Sequence, residues 1–470
     1  MKNREFAWIT YAFVAIFLFL MIHIVYFMFH DSEEFISSPY NTRQDVYAAT
    51  VVRGSILDAN REILAKTDVN EDGEETRVYP YGSLFSHLVG FSDNGKSGVE
   101  SIANFRLLRS HAFFLEKTVN DIREKKNMGD NVVLTLDTRL QRAASEALGG
   151  YYGAIVVMEV KTGKILAMVS KPDFDPNTIK AEWDQITQSG SSVLVNRATQ
   201  GLYPPGSVFK ILTSLEYMKE NRNYESFTYD CTGSITVGGN TINCYHNNVH
   251  GTEDLKLAFA KSCNSAYSEI GLKLKTSSFQ NLCNSMLFNT PLPIALESNQ
   301  SKFSLKKSAD QGEIMQKAIG QGDTQVTPLH MCLLASAIAN DGVLMKPYFI
   351  DRIENYNQAV VKQYRSSVYG ELLSEEQASV MQEFMRYVVT DGTGSVLNDA
   401  SYTSAGKTGS AEYSNTKGES HAWFVGYMPA EEPEIAISII AEGGGAGSSV
   451  AVPMAKQVFD VYHSLPKETP

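Results

Sequence analysis

Residues 202–214 read "LYPPGSVFKILTS", a rigid Pro-Pro-Gly turn running straight into an apolar helix. Ser207 and Lys210 stand three positions apart across that junction. The S-x-x-K spacing is not discriminating by itself, because it also starts at Ser304, Ser404, Ser414 and Ser464. Context separates the five. Ser464 lies at the C-terminal end, Ser414 in the polar loop "YSNTKGE", and Ser304 in "SKFSLKKSADQ", which reads as a solvated basic face. Ser404 shares Lys407 with a different motif. Ser207 alone follows a rigid turn and opens the helical stretch "VFKILTSLEYM".

That position has chemical consequences. Backbone N–H groups at a helix N-terminus are unpaired, and the local field favours negative charge. One turn on, Lys210 shares a face with Ser207, so its amine is placed to reach the hydroxyl. A serine hydroxyl needs a base to become a nucleophile. Lysine serves only when neutral, and burial beside Val208, Phe209 and Ile211 lowers its pKa, as does the positive helix end. The local sequence is equally compatible with Ser207 as a plain N-cap and Lys210 in solvent.

Two further pieces lie downstream. In "AFAKSCNSAYSEIG", Ser262 and Asn264 are two apart at a break between helical stretches, a spacing at which a tight turn aims a hydroxyl and an amide into one cleft. Ser92-x-Asn94 has the same pattern, and an ordinary polar turn explains either. In "SAGKTGSAEYS", Lys407-Thr408-Gly409 is flanked by Ala405, Gly406, Ser410 and Ala411. Small residues along a strand let another backbone approach, which suits an edge strand to which a peptide adds. The second Lys-Thr-Gly, at Lys161-Thr162-Gly163, falls at a hairpin turn where the glycine serves the turn.

Residues 6–29, "FAWITYAFVAIFLFLMIHIVYFMF", carry no formal charge and as a helix reach about 36 Å, enough to cross a hydrocarbon core. The length of the run and the lack of a small-residue cleavage site after it favour an uncleaved anchor over a signal peptide. Lys2 and Arg4 precede it, while Asp31, Glu33 and Glu34 follow. The positive-inside rule therefore keeps residues 1–5 cytoplasmic and exports the rest. The chain has 470 residues, enough for two or three domains, with 43% hydrophobic and 20% charged residues. A net charge of −12, from 53 acidic and 41 basic residues, argues against nucleic acid as a partner.

The texture changes near residue 150. Residues 30–150 are mixed and polar, with short apolar runs such as "RGSILDANREILA". "YYGAIVVMEVKTGKILAMVS" then reads as two strands joined at Gly163. "HAWFVGYMP" and "EIAISIIAE" read as buried strands of the same sheet. "AVPMAKQVFDVYH" reads as a closing helix. Thr327-Pro328 marks one helix start and Ser374…Gln377 a capping box. These patterns predict an α+β chain whose residues 151–470 form one domain, a sheet packed by helices. Five cysteines include Cys231 and Cys244, which flank a hairpin, "TGSITVGGNTIN", with a Gly-Gly-Asn turn. The hairpin brings them within reach of a disulfide, the alternative being a pair of buried thiols.

Ser207-x-x-Lys210, Ser262-x-Asn264 and Lys407-Thr408-Gly409, in this order and at this spacing, resemble the motif set of penicillin-binding proteins and serine β-lactamases. Cys263 stands where that motif set has aspartate, which reads as a tolerated variation. "IGQGDTQVTPL" (319–329), "DGTGSV" (391–396) and "HAWFVGY" (421–427) resemble class B penicillin-binding proteins. "NTRQDVYAATVVRGSILDANREILA" and "SGVES" (97–101) resemble that class's non-catalytic pedestal module, in its compact A-type form.

The resemblance implies a peptidoglycan D,D-transpeptidase acylated by β-lactams. Ser207 would be the nucleophile and Lys210 its base, with Ser262 and Asn264 handling the leaving amine and the substrate amide. Lys407, staying charged, would bind the terminal carboxylate with Thr408, on the strand that continues through Gly409 and Ser410. The backbone N–H groups of Ser207 and Ser410 would form the oxyanion hole. Mutual repulsion would help lower the pKa of Lys210. The resemblance implies no metal and no organic cofactor. Its implied partners are D-Ala-D-Ala stem peptides, β-lactams and a membrane glycan polymerase. A D,D-carboxypeptidase or β-lactamase is the alternative among enzymes, and a non-catalytic β-lactam sensor or wall scaffold the alternative of another class.

Overall fold

The computed structural model describes residues 2–30, 50–123, 125–190, 192–413 and 419–466. Helix α1 (Lys2–His30) carries a 25-residue apolar stretch, Arg4–Met28, none of it buried in the protein. It is long and apolar enough to cross a membrane.

Strands β1 (Ile56–Leu57), β2 (Ile63–Val69), β3 (Glu75–Val78) and β4 (Asn131–Leu134) build the sheet of the N-terminal part. The sharp turn from β1 to β2 follows from Asp58, whose Oδ1 accepts from the Asn60 and Glu62 backbone N–H groups at 2.8 Å. β1 pairs in parallel with β4, Ile56 opposite Val132. Two strands from far along the chain complete this sheet: Ile350–Glu354 lies antiparallel on β4, with Ile353 opposite Val132, and Val360–Gln363 forms the edge. Strand pairing thus crosses the texture change near residue 150. Ile56, Leu64, Val132, Leu134 and Ile353 are buried on one core.

After α2 (Thr138–Leu148), capped by Asp137, come β5 (Gly153–Glu159) and β6 (Ile165–Lys171), turned at Gly163 as the sequence predicts. Gly163 has φ +84, and a Cβ there would sit 2.5 Å from the Lys346 carbonyl. The helices α3 (Lys210–Glu220), α4 (Leu255–Ala260), α5 (Asn264–Lys273), α6 (Pro328–Ala339) and α7 (Glu375–Asp391) follow. Strands β7 (Ala405–Glu412), β8 (Ser420–Met428) and β9 (Ile435–Ala441) then precede α8 (Ala451–Ser464).

The five strands form one antiparallel sheet in the order β7-β8-β9-β5-β6. It is covered on both faces, which is why β8 and β9 read as continuous apolar runs. Ile155 and Val157 point to the side of α2 and α8, while Val156 and Met158 point to the side of α6. All twelve residues of α6 are buried, and its start is the predicted Thr327 cap with Pro328 next. The capping box of Ser374 and Gln377 is likewise present. The mixed α+β architecture stands as the sequence implied.

Candidate active site

Ser207 sits in a single 3-10 turn, Gly206–Phe209, that leads directly into α3. Gly206 has φ +53, and a Cβ there would lie 2.7 Å from the Ser410 carbonyl. Its N–H donates to the Gly320 carbonyl at 2.9 Å, and Gly320 in turn has no room for a Cβ beside the Gly206 carbonyl. Pro204 is held from the sheet side, its carbonyl accepting from Trp423 Nε1 at 3.0 Å. The turn is therefore clamped between β7, β8 and the segment around Gly320. Ser207 remains half-buried, while Val208, Phe209 and Lys210 go into the core.

Lys210 is fully buried, and its Nζ donates to the Ser262 carbonyl at 2.7 Å, to Asn264 Oδ1 at 2.7 Å and to Ser262 Oγ at 3.3 Å. Lys210 and Ser207, both among the described residues, share no hydrogen bond; the amine is oriented by the second motif. Burial pushes the Lys210 pKa down to about 8, against the opposing influence of Cys263, Cys244 and Glu253.

Ser262 and Asn264 occupy the break between α4 and α5, as the sequence implied. Ser262 adopts φ +60, a left-handed conformation uncommon for serine. The turn is fixed by Ser262 N–H to the Phe259 carbonyl and Cys263 N–H to the Ala258 carbonyl. Asn264 is oriented at both ends, since its Nδ2 donates to the Asn243 carbonyl at 2.9 Å.

Lys407 lies on β7, the edge of the sheet, paired with Val425 of β8. Its buried Nζ donates to Ser262 Oγ at 2.9 Å and to the Thr408 carbonyl at 3.2 Å. One hydroxyl, that of Ser262, thus lies between the two lysines. Burial first, and the charge of Lys210 second, carry the Lys407 pKa well below its usual value. The repulsion expected to act on Lys210 registers at Lys407 instead. Thr408 Oγ1 shares a 2.6 Å hydrogen bond with Thr393 Oγ1. Ser410 Oγ accepts from Gly447 N–H at 3.2 Å. Neither Thr393 nor Gly447 was picked out from the sequence, although Thr393 lies in the quoted "DGTGSV". A Cβ on Gly409 would lie 3.1 Å from Trp423 and from Val208, closer than ordinary van der Waals contact.

The other candidates scatter. Ser404 is fully buried with its hydroxyl unpartnered, Ser304 is exposed, Ser464 is exposed at the end of α8, and Ser414 lies outside the described residues. Lys161 is exposed at its turn. Cys231 and Cys244 are buried thiols 3.7 Å apart, without a disulfide between them. Their hairpin pairs Val237 with Asn240 across Gly238 and Gly239, both at positive φ.

Residues 153–460 match the penicillin binding protein transpeptidase domain, and residues 53–132 match the penicillin binding protein A dimerisation domain. The chain belongs to the penicillin-binding protein transpeptidase family. It is similar to the peptidoglycan D,D-transpeptidase PbpA of Mycolicibacterium smegmatis, 29% identical over 89% of this chain and 91% of the relative. The peptidoglycan D,D-transpeptidase MrdA of Haemophilus influenzae is 28% identical over 90% of this chain and 70% of that protein. Among solved structures, the D,D-transpeptidase domain of a peptidoglycan glycosyltransferase from Eggerthella lenta matches at 31% identity and TM-score 0.79, covering 89% of this chain and 100% of that one. The imipenem acyl-enzyme of penicillin-binding protein A from M. tuberculosis matches at 26% identity and TM-score 0.80, covering 90% and 100%. This penicillin-binding protein is thus of the class B, A-type kind that its sequence resembled.

Proposed function

We propose that this penicillin-binding protein is a membrane-anchored peptidoglycan D,D-transpeptidase that works through an acyl-enzyme on Ser207. The observation that carries the reading is the Ser262 hydroxyl, 3.3 Å from Lys210 Nζ and 2.9 Å from Lys407 Nζ. That hydroxyl links a lysine suited to be a base with a lysine suited to hold an anion.

Lys210, neutral, takes the proton of Ser207 Oγ as Oγ bonds to the carbonyl carbon of a D-Ala-D-Ala peptide. The backbone N–H groups of Ser207 and Ser410 receive the oxyanion, a contribution of about 3–4 kcal/mol per donor. The C–N bond breaks, the proton passes through Ser262 to the leaving nitrogen, and D-alanine departs. An amine of a neighbouring stem peptide then attacks the ester and restores Ser207. The substrate runs along the free edge of β7 as an added strand, its amide met by Asn264. Its terminal carboxylate is held by Lys407 and Thr408, and its negative charge favours the protonated form of Lys407. Helix α1 anchors the protein with residues 1–5 in the cytoplasm, and residues beyond it face the wall. There the protein works beside a membrane glycan polymerase.

Labelling the full chain in detergent with a fluorescent penicillin tests this. Ser207→Ala should lose all label, and Ser404→Ala should keep it. With a stem-peptide donor and an amine acceptor, the product should be the cross-linked dimer. Hydrolysed tetrapeptide alone would turn the reading to a carboxypeptidase, and a wild-type protein that is folded yet unlabelled would sink it.

A further inference from the structure

Behind the Ser262–Asn264 turn lies a cluster that the reaction does not use. The sulfurs of Cys231, Cys244 and Cys263 and a ring nitrogen of His250 lie within 4.8 Å of one another; all three cysteines are buried and His250 is partly so. Their sequence spacing is C-x12-C-x5-H-x12-C, and they come from four places in the fold. Cys231 ends the strand Thr228–Cys231, directly opposite Gly251 of the neighbouring strand. Cys244 follows the hairpin, and its N–H is held by the Gly233 carbonyl at 2.9 Å. His250 follows a knuckle in which His246 and Asn247 both take positive φ. Cys263 caps α5.

We propose that Cys231, Cys244, His250 and Cys263 bind one zinc ion, and that this ion fixes the turn carrying Ser262 and Asn264. Three of the six ligand-to-ligand edges fit a tetrahedral ion, and the others lie within 4.8 Å. Zn–S bonds of about 2.3 Å at tetrahedral angles put neighbouring sulfurs about 3.8 Å apart, and an S···N edge at about 3.6 Å. Here Cys231 Sγ to Cys244 Sγ is 3.7 Å, Cys244 Sγ to Cys263 Sγ is 3.8 Å, and Cys231 Sγ to His250 Nδ1 is 3.4 Å.

A second observation is independent of those distances. Glu253 is buried, and neither of its carboxylate oxygens has a hydrogen-bond partner. Its Oε2 lies 4.0 Å from the same His250 Nδ1. A buried carboxylate without a hydrogen-bond donor is costly, and a divalent ion at the cluster offsets the thiolate charge beside it and polarises the His250 ring that it faces. The surroundings also suit thiolate ligands. Ser265 Oγ lies 3.1 Å from Cys244 Sγ, and Ala266 N–H donates to Cys263 Sγ at 3.4 Å. Such outer contacts orient ligands and tune a metal.

Three sulfurs and an imidazole favour zinc over hard cations, and four protein ligands leave no open coordination position. The ion is structural. Its link to the reaction is Cys263 itself, which sits between Ser262 and Asn264 and read in the sequence as a bystander. Displacing that turn by an ångström costs about 10²-fold in rate.

The test is metal analysis of the full-length protein purified in detergent without chelator. We expect one zinc per chain, lost in Cys231→Ser and in His250→Ala, and kept in Cys283→Ala, which changes a buried thiol elsewhere. Replacement by cobalt(II) should give intense thiolate charge-transfer absorption in the wild type. Stripping the ion should slow penicillin acylation about 10²-fold, and zinc should restore it. The acylation arm rests on Ser207 being the nucleophile, whereas metal content does not, so the two can fail separately. Five titratable thiols and no zinc uptake at excess metal would overturn the proposal, as would a Cys231–Cys244 disulfide in protein isolated without reductant. Zinc that binds but leaves acylation unchanged when removed would overturn the positioning role.

Discussion

Two of the places where the protein buries basic side chains treat them in opposite ways. In the N-terminal part, Arg53 and Arg77 converge on one fully buried carboxylate. Arg53 Nε donates to Glu100 Oε2 at 2.7 Å and Arg77 Nε to Glu100 Oε1 at 2.8 Å. Arg53 Nη2 also reaches the Glu100 carbonyl, and Arg77 Nη1 the Gly54 carbonyl. Burial pushes the Glu100 carboxyl up, but the two guanidiniums together hold it below the usual carboxylate range. In the candidate active site, Lys210 and Lys407 are equally buried, yet neither has a carboxylate within salt-bridge distance among the described residues. They find neutral oxygens and the faces of Tyr267 and Phe259, each 5.3 Å from the ammonium. Cation–π contacts of this kind are worth about 0.5–2 kcal/mol, less than a buried ion pair must recover on desolvation. A paired charge is a fastener. An unpaired one is held ready for something that has yet to arrive.

The sharpest way to break this contrast is Lys210→Met. Acylation by penicillin should fall about 10²–10⁴-fold, the usual contribution of a positioned base. Stability should fall by only about 1–3 kcal/mol, the cost of leaving the Ser262 carbonyl unsatisfied. Stopped-flow acylation and denaturant melts of the same variant measure both, and a variant that unfolds outright would mean Lys210 is a fastener too. Glu100→Gln should do the reverse. Two guanidiniums lose their counter-charge, so stability should drop by about 3–5 kcal/mol while acylation per folded molecule holds. A Glu100→Gln protein as stable as the wild type would erase the distinction.

The smallest effect concerns a third solution, a buried base that stays neutral. His330 on α6 has its Nε2 at 2.7 Å from the Met286 carbonyl, and burial brings its pKa down to about 4. The unfolded chain takes up this proton near pH 6.5, before the folded one does. Its contribution to stability is therefore complete above about pH 6.5 and is lost as pH falls toward 4. Between pH 7 and 5.5 the loss should be about 1 kcal/mol. Denaturant melts at the two pH values should show it, with a smaller difference in His330→Gln.

How much of this was legible in the sequence depends on the range over which each decision is made. The turn and helix around Ser207, the Thr327 and Ser374 caps, the Gly163 turn and the Gly-Gly hairpin are decided within a few residues, and each reads correctly. The structure brings the three motifs together. Pro204-Pro205-Gly206 before Ser207 and the small residues around Lys407 set two of them apart from their duplicates, whereas nothing beside Ser262-x-Asn264 separates it from Ser92-x-Asn94. Two things were not legible. Lys210 turns toward Ser262 and Asn264 rather than Ser207, a choice made by a loop some fifty positions away. Cys263 lies beside Cys244 because a hairpin, a knuckle and a helix cap meet there, and its spacing to the other ligands matches no familiar zinc pattern.

The two late strands in the N-terminal sheet bear on the order of events during synthesis. Arg61 and Glu354, bonded at 3.0 Å, are 293 positions apart. The sheet that begins at Ile56 therefore waits for residues 350–363 to emerge before its edge is closed. Contacts of such long sequence separation make folding slow, and an open strand edge on the nascent chain invites mispairing in the meantime. A chain cut near residue 340 would carry that open edge permanently, so truncations meant to isolate either half should give aggregates, and the two halves are best expressed together.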